Sequence, residues 1–145
     1  DLDFSFTDSH EKTGAIRDSS KRSTVAQSLR TRLNNSKNMV LIIGKTTRED
    51  TDWVPLEIEH AVDQCRIPII AAYSGYNSIL APADLASLWP PALYERIVAG
   101  SAHVIHVPFR RQPLCDAVRF SMYEYPVGGG LGHYSADTYR LWGML

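Results

Sequence analysis

Long apolar runs, paired cysteines and an excess of charge of either sign are all missing from this sequence, and each absence removes a class of function. No apolar run approaches the roughly 18 residues of a membrane span, and no signal-peptide pattern is visible. Fifteen basic against 16 acidic residues leave no polybasic signature for nucleic acid or for an anionic membrane surface, so neither is expected as a partner. The two cysteines, Cys65 and Cys115, have no C-x-x-C spacing and both fall in apolar helical patterns. Two buried thiols in a reducing cytoplasm are therefore expected. The histidines do not make up a metal site. His103 and His106 are three apart on an expected strand and so point to opposite faces. His60 has no Cys or His at ligand spacing, while His10 and His133 are far apart in sequence.

What is present is an ordinary globular composition, 44% hydrophobic over 145 residues, enough for one domain with a real core. The chain is organised around residues 52–73. Asp52 reads as the N-cap of a helix, with Pro55 in the first turn, where a missing N–H breaks no intrahelical bond. Ile58, Ala61, Val62 and Cys65 form one apolar stripe at i, i+3, i+4 and i+7. Trp53 and Glu57 are i and i+4 and share a face at the edge of that stripe. Arg66-Ile-Pro-Ile-Ile-Ala-Ala-Tyr73 follows, a buried strand. The aromatic–carboxylate pair thus lies near a helix start just after a strand ends, where open parallel α/β sheets bind ligands. Taken alone, Glu57 in this place reads first as a solvated first-turn carboxylate favoured by the helix dipole.

Around this stretch, Leu2-Asp3-Phe4-Ser5-Phe6 alternates as a strand and residues 7–20 read as a polar loop. Residues from Ser20 or Ser23 through about 34 read as a helix carrying Val25, Leu29 and Leu33. Met39-Val-Leu-Ile-Ile43 is a continuous apolar run, the mark of a strand covered on both faces, and residues 44–51 form the loop to the central helix. Residues 82–100 predict a short helix, a break at Trp89-Pro90-Pro91 and a second helix. Residues 102–107 predict another strand, and Pro113 opens a last core helix with Leu114, Ala117, Val118 and Ser121 on one side. The alternation predicts a mainly parallel, doubly wound sheet. The expected division is an α/β domain over residues 1–124 and a C-terminal arm over residues 125–145. That arm is Gly-rich through Tyr134, then carries a short helix capped by Ser135, with Tyr139 and Trp142 on a docking face. It reads as a packing arm or oligomer contact. As a phosphate loop it lacks the preceding strand and the following Lys-Ser/Thr.

Val40-Leu-Ile-Ile-Gly44, then Thr47, then Trp53-Val-Pro-Leu-Glu57-Ile and Ala61, leading into Arg66-Ile-Pro-Ile-Ile, resembles the W-x-x-x-E-I-x-x-A pattern of TIR domains between its flanking strands. More narrowly, it resembles the TIR-like, ThsB-type domain of Thoeris antiphage systems, to which the tail residues Tyr134, Asp137 and Trp142 also look similar. Phe4-Ser-Phe-Thr-Asp8-Ser9 resembles the family's second strand and the mobile loop after it. The resemblance covers about residues 2–122 and implies a flavodoxin-like fold. That fold has five strands where four are counted here. Residues 1–6 read as the second strand, so the first is expected upstream, in about 30–60 further residues.

The resemblance further implies cleavage of the nicotinamide–ribose bond of NAD, yielding an ADP-ribose-type signal, cyclic or conjugated. NAD enters as substrate, no other cofactor or metal is called for, and a homo-oligomer and a downstream effector sensing the signal are the implied partners. Glu57 is the implied catalytic carboxylate. Trp53 forms an apolar wall beside the ribose or nicotinamide, or else anchors its helix to the core. Asp8, Ser9 and His10 match the mobile loop flanking the substrate. Gly44, Lys45 and Thr46 end the preceding strand where ribose or phosphate would lie, although Lys45 reads equally as a solvated loop lysine. Tyr76, after another strand's end, joins the ligand rim or merely the surface. Glu59, on a different face and without an aromatic partner, is the expected surface control. Two other readings remain open: a non-catalytic assembly module on the same fold, and a flavodoxin-like nucleotide-binding domain.

Overall fold

Three apolar runs of five residues each build the centre of the sheet. The computed structural model describes residues 19–121 and 129–145, so the strand expected at residues 2–6, the loop after it and Asp8, Ser9 and His10 lie outside the described residues. Helix α1 spans Ser19–Asn34 and strand β1 Met39–Ile43, followed by a 3-10 turn at Thr47–Glu49. Helix α2 runs Trp53–Glu59 and widens into a π-helical segment at His60–Cys65 before strand β2, Ile69–Tyr73. A 3-10 helix at Pro82–Leu88 precedes helix α3, Pro91–Ala99, and strand β3, Val104–Pro108. Helix α4, Arg111–Asp116, continues as a π segment through Ala117–Ser121. The tail supplies strand β4, Gly132–His133, and helix α5, Ala136–Leu141.

The sheet is parallel throughout in the order β1-β2-β3-β4, with Ile69 opposite Met39 and Val104, and Ala71 opposite Leu41 and His106. Every residue of β2 and β3 is buried. Two layers of helix explain this. On one face, Leu41, Ile43, Ile69, Ala71 and Tyr73 pack with Val54 and Ile58 of α2, with Ala61 and Val62 of the π segment that continues it, and with Ala92 and Leu93 of α3. On the other, Ile70, Ala72, Ile105 and Val107 pack with Leu114 and Ala117 of α4. The doubly wound parallel sheet expected from the sequence is what the chain forms. Among the described side chains of α1, Val25, Leu29 and Leu33 are buried, as their spacing predicts.

Three details depart from the sequence reading. Asp52 holds the N-cap position of α2 as expected but makes no side-chain cap; the side chain of Asp50 accepts the backbone N–H groups of Asp52 and Trp53 at 2.8 and 2.9 Å. Asp52 instead pairs with Arg22 of α1 at 2.7 Å. An Asx turn from two residues upstream thus satisfies the first two N–H groups of the helix start, those of Asp52 and Trp53, rather than the Val54 N–H that a side-chain cap from Asp52 would take. The Gly-rich tail also contains a strand. Gly132 and His133 pair with Ile105 and His106, so the arm extends the sheet. A strand of two residues, one of them glycine, carries no strand periodicity, which is why the element cannot be read from pattern. Finally, Cys115 is buried but Cys65 is only half-buried. The π turn carries Cys65 past the stripe, where its thiol donates to Asn34 Oδ1 at 3.2 Å.

Candidate functional site

The carboxylate of the organising helix sits inward. Val54, Glu57 and Ile58 are the buried residues of α2, and with Ala61 they form one stripe at i, i+3, i+4 and i+7. Glu57 is 6% exposed, whereas Glu59, two residues on, is exposed. A carboxylate on the core side of a helix carries a desolvation cost that a surface carboxylate does not. The reading of Glu57 as a solvated first-turn residue therefore fails, and Glu59 is the surface residue expected.

Trp53 opens the same helix, half-buried. Its ring lies under the guanidinium of Arg22, 4.8 Å from the ring centroid, and the same guanidinium reaches Asp52. One α1 side chain thus holds both residues at the start of α2. This cation–π contact supports the anchoring role for Trp53. Beyond β1, the Gly44 N–H donates to Thr47 Oγ1 at 2.9 Å, which closes the turn. Lys45 and Thr46 follow it, both exposed. Tyr76 is 37% exposed past the end of β2, its ring edge-on to Tyr73 with centroids 6.1 Å apart. Glu57, Trp53, the turn after β1 and Tyr76 all belong to segments that leave the carboxyl ends of β1 and β2, the edge at which parallel sheets bind ligands. A cleft of about 450 Å³ between α1 and α2 is lined by Arg30, Leu56, Glu59, His60, Asp63 and Gln64, on the side of α2 away from Glu57.

Sequence reasoning did not anticipate a buried polar relay under this edge. Trp89 Nε1–H donates to Tyr73 Oη at 2.8 Å, and Tyr73 Oη lies 2.7 Å from His106 Nδ1. His106 Nε2 lies 2.7 Å from the Gly130 carbonyl oxygen. Directions follow from chemistry. An indole can only donate and a carbonyl can only accept, so His106 carries its proton on Nε2, and Nδ1 accepts from the tyrosine hydroxyl. Burial lowers the His106 pKa to about 4, in line with a neutral ring, and raises that of Tyr73. The relay fastens the tail to the sheet, and Gly130 passes so close to Ile97 of α3 that an added Cβ would stand 3.0 Å from its side chain. A signal was available: His106 is the one polar residue within the apolar run Val104-Ile105-His106-Val107.

Among the described residues there is no group of three or more His, Cys, Asp or Glu side chains arranged to hold a metal ion, and no helix is long and apolar enough to cross a membrane. No solved structure matches the chain. The family described as Thoeris protein ThsB, TIR-like domain, matches residues 1–78, more than half of the 145. The matched segment holds β1, the turn after it, α2 with Trp53 and Glu57, β2 and Tyr76. With the glutamate-bearing helix set between its two parallel strands inside the match, the chain belongs to the TIR-like domain family of the Thoeris protein ThsB.

Proposed function

We propose that this chain is an NAD-consuming enzyme of Thoeris antiphage defence, cleaving the nicotinamide–ribose bond and passing on an ADP-ribose-type signal. The observation that carries the proposal is the placement of Glu57, buried on the inward stripe of α2 and one helix start away from the carboxyl end of β1. As nicotinamide departs, positive charge develops on the anomeric carbon, as in glycoside cleavage. A carboxylate fixed beside the ribose stabilises that charge, and in a water-poor setting the effect is largest in the transition state. Nicotinamide leaves a pyridinium as a neutral molecule, so its departure calls on no metal.

In this reading Glu57 is the catalytic carboxylate and Trp53, clasped by Arg22, fixes the helix that presents it. Lys45, Thr46 and Tyr76 stand on the substrate rim, with Gly44 shaping the turn, and Asp8 and Ser9 are assigned to substrate binding. NAD is the substrate. Self-assembly and a downstream effector that reads the product complete the scheme, which operates in the cytoplasm.

Nicotinamide release from NAD, measured with and without a phage lysate, tests the assignment. Glu57→Gln preserves side-chain size and should lower release by a factor of about 100 or more, the range for losing a transition-state electrostatic partner. Glu59→Gln should leave release unchanged. Equal activity in wild type and Glu57→Gln would remove Glu57 from the chemistry. Chromatography of the nucleotide products from the same reactions identifies cyclic, conjugated or free ADP-ribose.

A further inference from the structure

A second cleft, of about 340 Å³, opens on the same edge of the sheet, and neither Glu57, Trp53 nor Tyr76 lines it. It is lined by Arg48, Ala86, Ser87, Trp89 and Tyr94. These come from segments leaving two neighbouring strands: Arg48 from the turn after β1, Ala86 and Ser87 from the 3-10 helix after β2, Trp89 from the end of that helix, and Tyr94 from the first turn of α3. Its chemistry is specific. The lining holds one charge, the Arg48 guanidinium, and no carboxylate. That guanidinium is oriented by donation from Nη1 to the Ser87 carbonyl oxygen, which leaves its other donors for a ligand. Two aromatic rings stand beside it. Trp89 is 4% exposed and its N–H is already given to Tyr73, so it is a fixed apolar floor. Tyr94 is 49% exposed, its ring tilted 47° to Trp89 with centroids 6.1 Å apart, so it is an open wall.

We propose that this cleft binds a mononucleotide-sized anion, with Arg48 taking the phosphate and Tyr94 stacking on the base. A pre-oriented arginine beside an exposed ring matches the two halves of a nucleotide, since guanidinium groups suit phosphate oxygens and aromatic faces suit bases. A cleft of this volume lies at the small end of ligand sites. The proposal rests on these five residues and stands or falls separately from the role of Glu57.

Calorimetric titration of the whole chain with AMP, adenosine and inorganic phosphate as three separate probes tests it. AMP should bind more tightly than either half. Arg48→Ala should weaken AMP and phosphate by roughly tenfold or more, the worth of a charge-assisted hydrogen bond, while leaving adenosine unchanged. Tyr94→Ala should weaken AMP and adenosine by about tenfold, the worth of one stacked base, while leaving phosphate unchanged. Arg48→Lys should retain part of the phosphate affinity, and circular dichroism should show every variant folded. Glu57→Gln should bind AMP as wild type does. Absence of AMP binding to the wild type, AMP affinity indifferent to both Arg48→Ala and Tyr94→Ala, or loss of AMP binding in Glu57→Gln would each overturn the assignment.

Discussion

Tyr73 carries two polar neighbours on one oxygen: the Trp89 N–H donates to it at 2.8 Å and it donates to His106 Nδ1 at 2.7 Å. Tyr73→Phe keeps the ring and removes only that oxygen. It leaves a buried donor and a buried acceptor unsatisfied, each costing about 1–3 kcal/mol, so a loss of roughly 2 kcal/mol or more is expected. Urea unfolding of the two proteins measures it, and a loss below about 0.5 kcal/mol, the low end for any net hydrogen bond, would mean that water replaces the hydroxyl. At this scale the sequence was legible where residues fall on a stripe. Ile58, Ala61 and Val62 are buried as their spacing predicts. Glu57 was legible as a candidate but not as a buried group, because it stands beside Ile58 on the inward stripe only once the helix is rotated to bury Val54. The Tyr73–His106 pair was not legible at all: the partners are 33 residues apart and meet through the register that sets Ala71 beside His106.

Elements are where the sequence speaks most clearly and where its boundaries slip. The periodicity of α1, the apolar runs of β1, β2 and β3, and the break at Trp89-Pro90 ahead of α3 all recur in the structure. The start of α2 shows why ends are harder. Asp50 and Asp52 are equally good capping types, and the choice between them was made elsewhere, by Arg22 of α1 claiming Asp52. The two acids therefore predict different costs. Asp50→Ala removes an acceptor shared by two backbone N–H groups and should destabilise the protein by about 1 kcal/mol or more. Asp52→Ala removes an ion pair whose side chains are 50% and 55% exposed, and should cost about 0.5 kcal/mol or less. Thermal melts of the two variants rank them, and the opposite order would restore Asp52 as the cap. The far end of α2 slips for a related reason. Its π turn closes with Arg66 in the left-handed region at φ 55° and with the Ile67 N–H on the Ala61 carbonyl, a geometry no 3.6-residue pattern encodes.

Across the whole molecule, one neutral imidazole joins the sheet, the segment before α3 and the tail, and this makes stability depend on pH in a definite direction. Burial lowers the His106 pKa from 6.5 to about 4 in the folded chain. Between those values the unfolded chain takes up a proton that the folded chain refuses, so stability falls as the pH falls. The contribution is complete above pH 6.5, declines through the window and is lost near pH 4. A shift of this size corresponds to roughly 3 kcal/mol. Structure explains why the refusal is strong: a proton on Nδ1 would turn His106 into a donor facing the Tyr73 hydroxyl, leaving that hydroxyl hydrogen with no acceptor and a charge in the core. Asp63, whose carboxyl is held below its ordinary value by hydrogen bonding to Arg96, loses its contribution only at lower pH, so the two windows separate. Urea midpoints measured at intervals from pH 7.5 to 4 should hold level down to about pH 6.5 and then fall in the wild type, and the fall should be much shallower in His106→Gln, which is less stable at neutral pH but has no imidazole to protonate at that position. A wild-type profile flat across that window, or an equal slope in His106→Gln, would show that the imidazole is reached by protons without opening the fold.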